Sequence, residues 1–145
     1  VTHFKPDADA LGSSLGLAAF LTSKGHQVAV ITPSDYPDFL GWMPGAQDVI
    51  ALSAKSSEPL LRATDALMMA DLIFCLDFSS LKRIHELGDV VAAAKGQKVL
   101  IDHHLEPEQF ADYTKWDISS ASTAQLIFEL IQEWGEKGQV TASIA

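Results

Sequence analysis

Short unbroken apolar runs alternate with segments whose apolar residues recur at helical spacing, and this alternation is what first limits the fold. Residues 72–76 (LIFCL) and, after Lys98, residues 99–101 of KVLI carry no polar break on either face, the pattern of strands buried on both sides. Residues 11–24 place Leu11, Leu15, Ala18, Ala19 and Thr22 on one helical face and stop at Gly25. Residues 58–69 and most of 81–95 read as helices. A closing helix over 122–136 sets Leu126, Ile127, Leu130, Ile131 and Trp134 on one face behind a Ser/Thr-rich start. Residues 27–32 read as a strand, 48–52 as a shorter one, and 34–45 as a loop punctuated by Pro and Gly. Val1-Thr2-His3 reads as the end of a strand whose start is missing. Strands alternating with helices predict an α/β domain with a mainly parallel sheet flanked by helices.

Composition narrows the class. At 145 residues and 48% hydrophobic, the chain suits one domain, or one domain of a longer protein. No apolar run approaches the roughly 20 residues that span a bilayer, and VTHFKPDADA is unlike a signal peptide. Cys75 is the sole cysteine, so no intrachain disulfide can form. A cytoplasmic protein is expected. The formal charge of −9, from 19 acids and 10 bases, argues against gripping long duplex nucleic acid, which calls for a basic face. A small phosphorylated ligand remains open to an acidic chain if metal cations supply the positive charge.

The candidate chemistry lies where strands end. The first strand ends at His3, LIFCL at Asp77, and KVLI at Asp102-His103-His104. Ligands of open α/β sheets sit beyond the carboxyl ends of the strands, so three strands deliver acids and imidazoles to one rim. HFKPDAD adds Asp7 and Asp9, two residues apart, which suits carboxylates directed at two neighbouring metals; Asp77 is placed to bridge them. Neighbouring residues of extended chain point opposite ways, so one of His103 and His104 would bind metal and the other face a substrate. Asp102 fits a supporting role, orienting an imidazole. Mixed carboxylate and imidazole donors suit Mn²⁺, with Mg²⁺, Zn²⁺ or Fe²⁺ as alternatives. Each piece also has a plainer reading: Asp9 as the cap of the helix that follows, Asp77 as a turn residue, His103-His104 as a hydrogen-bonded pair. His26 and His85 read as structural or surface residues. Together the pieces favour a metal site.

These residues resemble the motifs of the DHH phosphoesterases. HFKPDADALGSS is similar to that family's His-x-x-Pro-Asp-x-Asp-x-x-Gly-Ser at His3, Pro6, Asp7, Asp9, Gly12 and Ser13; LDFSSLKR resembles its second motif at Asp77; Asp102-His103-His104 is the triplet that names it. SASTAQLIFEL resembles the Ser/Thr-rich helix start of the oligoribonuclease/phosphoadenosine phosphatase branch, although Gln125 stands where that branch commonly has Glu.

The resemblance implies the α/β fold of the family's N-terminal domain and two divalent ions, expected to be Mn²⁺. One ion would be held by His3, Asp7 and Asp77, the other by Asp9, Asp77 and His103. His104 would contact the scissile phosphate and Asp102 would support the histidines. The family's later metal-binding Asp has no match; Asp117 is the nearest acid, but its context differs. Residues 1–145 would be a catalytic domain truncated at both ends, without the C-terminal substrate-binding domain. The expected function is hydrolysis of short oligonucleotides or 3′-phosphoadenosine 5′-phosphate by a water activated between two metals. The partners implied are that substrate and, for the parent protein, a second copy in a homodimer. The alternatives are an inorganic pyrophosphatase of the same superfamily and a non-catalytic metal- or nucleotide-binding module.

Overall fold

Backbone hydrogen bonds sort the strands into parallel ladders. The computed structural model describes residues 1–134, 138, 140, 141 and 144. In chain order these form α1 (Ala8–Ser23), β1 (Ile31–Thr32), β2 (Ile50–Ala51), α2 (Glu58–Met69), β3 (Leu72–Leu76), α3 (Leu87–Ala93), β4 (Gln97–Asp102), β5 (Tyr113–Trp116) and α4 (Thr123–Glu133). β1 pairs with β2 in one ladder, and β3, β4 and β5 follow one another in a second. The first residues of the chain lie between the two ladders. Val1 bonds β3 through its amino group to the Phe74 carbonyl (2.8 Å) and through its carbonyl from the Leu76 amide (3.0 Å), while the Thr2 amide reaches the Ile31 carbonyl at 3.2 Å.

Alternation along the strands builds two cores. Ile73, Cys75 and Leu100 turn to one face and pack with Ala63 and Leu67 of α2 and Leu87 and Val91 of α3. Leu76 and Ile101 turn to the other and pack with Leu17 and Phe20 of α1 and Leu126, Ile127 and Ile131 of α4. Each Leu, Ile, Val or Phe side chain among them, taken from water, contributes about 1.5–3 kcal/mol. A third cluster seats the 3₁₀ turn Asp38–Leu40 on α1, through Leu40 and Ala46 against Leu11 and Leu15.

The helix starts are chemically marked. The Asp7 carboxylate accepts from the amides of Asp9 and Ala10 and caps α1; the Ser122 hydroxyl accepts from Gln125 and caps α4. Gln125 reaches back to the Ala121 amide at 3.1 Å, closing a capping-box-like pair. Glutamine does this as well as glutamate, so the departure at this position leaves the local structure intact.

Several expected elements change, the strand over 48–52 among them, which is only Ile50–Ala51 behind the 3₁₀ turn Ala46–Asp48. The strand over 27–32 shortens to Ile31–Thr32, because residues 27–29 are exposed and ladder bonding begins at the Val30 carbonyl. The helix over 81–95 breaks at His85, whose φ of 51° and ψ of −125° separate the 3₁₀ turn Leu81–Ile84 from α3. The closing helix is described as Thr123–Glu133, and Gly135 and Glu136 lie outside the described residues. β5 was not expected: its residues Tyr113, Thr114 and Trp116 are exposed and form no apolar run.

Candidate metal centre at the strand rim

The strand ends and the starts of α1 and α4 meet at one rim. Asp77, directly after β3, has its amide on the Ile101 carbonyl at 3.0 Å, so the ladder still holds its backbone. Its φ of 66° puts a non-glycine residue in the left-handed region, at a cost of about 1–2 kcal/mol. Such strain persists where the surroundings over-determine it and is concentrated at functional sites. The side chain is buried and central. Thr123 Oγ1 donates to Asp77 Oδ1 at 2.8 Å, His3 Nε2 lies 3.6 Å from Oδ2, and His103 Nε2 and His104 Nδ1 lie 3.5 and 3.8 Å from Oδ1.

The histidine tautomers follow from their other contacts. His3 Nδ1 faces the Phe4 carbonyl at 2.9 Å and His103 Nδ1 faces the Ser120 carbonyl at 3.3 Å. A carbonyl only accepts, so both Nδ1 atoms donate, and in the neutral rings Nε2 holds the lone pair. Both lone pairs then point at carboxylate oxygens, 3.5–3.6 Å away. Acceptor facing acceptor is unfavourable unless a proton or a cation lies between them. The donor set therefore fits a metal ion. The Asp77 carboxylate beside His3, against the opposing effect of burial, raises the His3 pKa, with the Phe4 carbonyl and Asp7 adding to the rise. Burial pushes the Asp77 carboxyl up, but the nearby His3, the hydrogen bond from Thr123 and the nearby His104 outweigh it, leaving its pKa below the ordinary value.

His3, Asp7 and Asp77 bring one donor atom each within 4.8 Å of one another, and so do Asp77, His103 and His104. Asp77 belongs to both groups. The first is the expected ligand set. In the second, His104 stands where Asp9 was expected, and Asp9 attaches through His103, its Oδ2 3.6 Å from Nε2. Asp9 does cap a helix, but not α1, in whose first turn it lies: its carboxylate accepts from the amides of Thr123 (2.8 Å) and Ala124 (2.9 Å) and from the Ser13 hydroxyl (3.2 Å). An anion at the positive end of α4 is favourable on its own account; Oδ1 is filled by Ser13 and Ala124, while Oδ2 accepts only from Thr123 and keeps a further lone pair.

Asp102 is fully buried. Its Oδ1 accepts from the His103 amide at 2.9 Å and from His104 Nδ1 at 2.7 Å, while Oδ2 has no hydrogen-bond partner. His104 is thereby oriented with Nε2 away from Asp102, on a side chain 40% exposed. The rings of His103 and His104 diverge less than strand alternation implies, meeting edge-to-face at 4.8 Å.

Asp117 is exposed and bonds Ser119 in a turn, its Ser119 hydrogen bonds lowering its pKa. It does not join the cluster. His26 lies exposed past α1, and His85 stacks on Phe4 at 4.2 Å, bracing the loop between His3 and Asp7. Thr123 belongs to the site although no motif assigns it a role. The Ser/Thr-rich start of α4 was its signal, but only the fold brings that start to Asp77 and Asp9.

The sequence profile of the DHH family, N-terminal domain, matches residues 1–145. The chain is 31% identical over 144 residues to the bifunctional oligoribonuclease and PAP phosphatase NrnA of Thermus thermophilus, covering 99% of this chain and 38% of that protein. It is 29% identical over 126 residues to a probable protein of the same name from Streptococcus mutans, covering 86% and 35%. The crystal structure of an exopolyphosphatase-related protein from Bacteroides fragilis superposes with a TM-score of 0.92 at 45% identity, over 98% of this chain and 41% of that one. The chain thus spans about two fifths of the length of these relatives. It belongs to the DHH family.

Proposed function

We propose that this member of the DHH family is the catalytic domain of a divalent-metal-dependent phosphoesterase acting on short oligoribonucleotides and 3′-phosphoadenosine 5′-phosphate. The observation that carries this reading is Asp77, buried, strained and shared by two groups of metal-capable side chains. His3, Asp7 and Asp77 would hold one ion; Asp77 and His103, with Asp9, would hold the other. Mn²⁺ is the ion that this mixed donor set suits best. When bound, two such ions supply Lewis acidity that activates water and neutralises charge on the phosphoryl oxygens.

The chain's own residues do the rest. The Phe4 and Ser120 carbonyls fix the His3 and His103 tautomers so that Nε2 is the free donor. Asp102 takes the Nδ1 proton of His104 as a hydrogen bond and leaves Nε2 to meet a phosphoryl oxygen. α4 holds Asp9 and Asp77 in place from its first turn. The acidic balance of the chain favours a small substrate over a long duplex. Residues 1–145 act with a further substrate-binding region of a longer parent, which suits their share of their relatives' length.

A second reading, hydrolysis of phosphoanhydrides such as pyrophosphate, draws support from the likeness to the exopolyphosphatase-related protein. The two are separated with the full-length protein and Mn²⁺, by following product release from 3′-phosphoadenosine 5′-phosphate, a short RNA and pyrophosphate. Turnover of either nucleotide substrate is expected. Turnover of pyrophosphate alone favours the second reading, and no turnover with Mn²⁺ bound indicates a binding module.

A further inference from the structure

We infer that Trp116 is a positioning residue for His104, clamping its backbone so that the phosphate-facing imidazole is held from both ends. The inference rests on the phosphoesterase reading of the site and goes beyond it to a residue that no motif marks.

The ladder between β4 and β5 ends with Asp102 opposite Trp116, and the last main-chain bond across it runs from the Asp117 amide to the Asp102 carbonyl at 3.3 Å. His104 follows two residues beyond β4, where no strand accompanies it. Next to it, Leu105 is 71% exposed and Glu106 adopts a φ of 55°. A carbonyl in such a segment is ordinarily left to water. Here the Trp116 indole N–H donates to the His104 carbonyl at 2.6 Å. The imidazole is fixed separately, through Nδ1 on Asp102 Oδ1 at 2.7 Å. Both anchors come from one row of the sheet, since Asp102 and Trp116 are register partners. Swinging the ring out of place therefore means breaking a charge-assisted hydrogen bond, moving a clamped backbone, or both.

Core packing does not explain the tryptophan. It is 42% exposed at the end of an edge strand, and its polar atom is spent on the residue with the most exposed imidazole of the cluster. The neighbouring chain works the same way. The carbonyl of Ser120 orients His103, and Thr123 and Ala124 hold Asp77 and Asp9. Residues 116–124 form a strap behind the rim, and Trp116 is its contact with His104.

The test uses full-length protein carrying Trp116→Phe, or 3-benzothienylalanine at position 116, which keeps the indole's shape and replaces its N–H by sulfur. 7-Azatryptophan at the same position, which retains the N–H, is the rescue. Three quantities are read: kcat and KM for 3′-phosphoadenosine 5′-phosphate with Mn²⁺, Mn²⁺ affinity with the thermal midpoint, and the ¹H–¹³C NMR signal of His104 Cε1 in EDTA. Loss of one such hydrogen bond is expected to lower kcat about 3- to 10-fold, with KM, Mn²⁺ affinity and midpoint unchanged. The His104 signal should broaden or split in both donor-less proteins and recover with 7-azatryptophan. An unchanged kcat with a single sharp His104 signal would overturn the inference. So would a fall in kcat that tracks lost metal affinity or a lower midpoint, because that is a structural role. If the parental protein turns over no substrate while the His104 signal responds to the missing N–H, the phosphoesterase reading fails and the clamp stands.

Discussion

Replacing Thr123 with Val changes almost nothing but one hydroxyl. The residue is fully buried, its side chain meets Asp77 Oδ1 at 2.8 Å, and the amides of Thr123 and Ala124 that hold Asp9 belong to the main chain and stay. A hydrogen bond to a charged partner contributes about 1.5–3 kcal/mol. Its loss should raise the Asp77 pKa, because the hydroxyl stabilises the ionised form. The sign follows from the direction of the native shift. Burial raises the Asp77 carboxyl, but the nearby His3 and the hydrogen bond from Thr123 outweigh it and hold the folded value low. Stability from a depressed carboxyl is present above the unfolded pKa of about 3.9 and is lost as pH falls through the folded value. Thr123→Val should therefore be less stable by about 1.5–3 kcal/mol at pH 7, with the gap closing as the pH falls below about 4. Urea unfolding of EDTA-treated protein across this range reads the stability, and ¹³C-carboxyl NMR reads Asp77 itself. Equal stability at pH 7 with an unmoved Asp77 titration would refute the claim that Thr123 keeps Asp77 ionised.

Asp102→Asn should leave the protein folded but lower kcat about 10- to 100-fold, the usual cost of losing a partner that orients a site histidine; steady-state kinetics with circular dichroism as the fold control checks it. Gly96→Ala should destabilise the protein by about 1–3 kcal/mol, read as a lower thermal midpoint. A Cβ there would clash with the Ala70 carbonyl oxygen, where the residue before β4 passes against the connection from α2 to β3, and backbone cannot yield as a flexible side chain does.

What the sequence revealed follows from how local each signal is. LIFCL was legible to the residue because a strand covered on both faces needs no polar alternation. β5 was not, because an edge strand with exposed side chains leaves no apolar run. The rim itself was legible, since strand ends in a parallel sheet share one side, and His3, Asp7, Asp77 and His103 do converge there. The division of labour between Asp7 and Asp9 was only half legible. Local capping rules cannot see that Asp7 caps α1 while Asp9 serves α4, more than a hundred residues on. Thr123 and Trp116 were out of reach for the same reason: each acts on the site only through a contact the fold makes.

If the proposed chemistry holds, Asp77 is the shared ligand of two metal ions. Anomalous diffraction from Mn²⁺-loaded crystals of the full-length protein tests it most directly. Two peaks are expected, about 3.5–4 Å apart, one beside His3 and Asp7 and the other beside His103, with Asp77 between them. A single peak that does not touch Asp77, or none at saturating Mn²⁺, would contradict it.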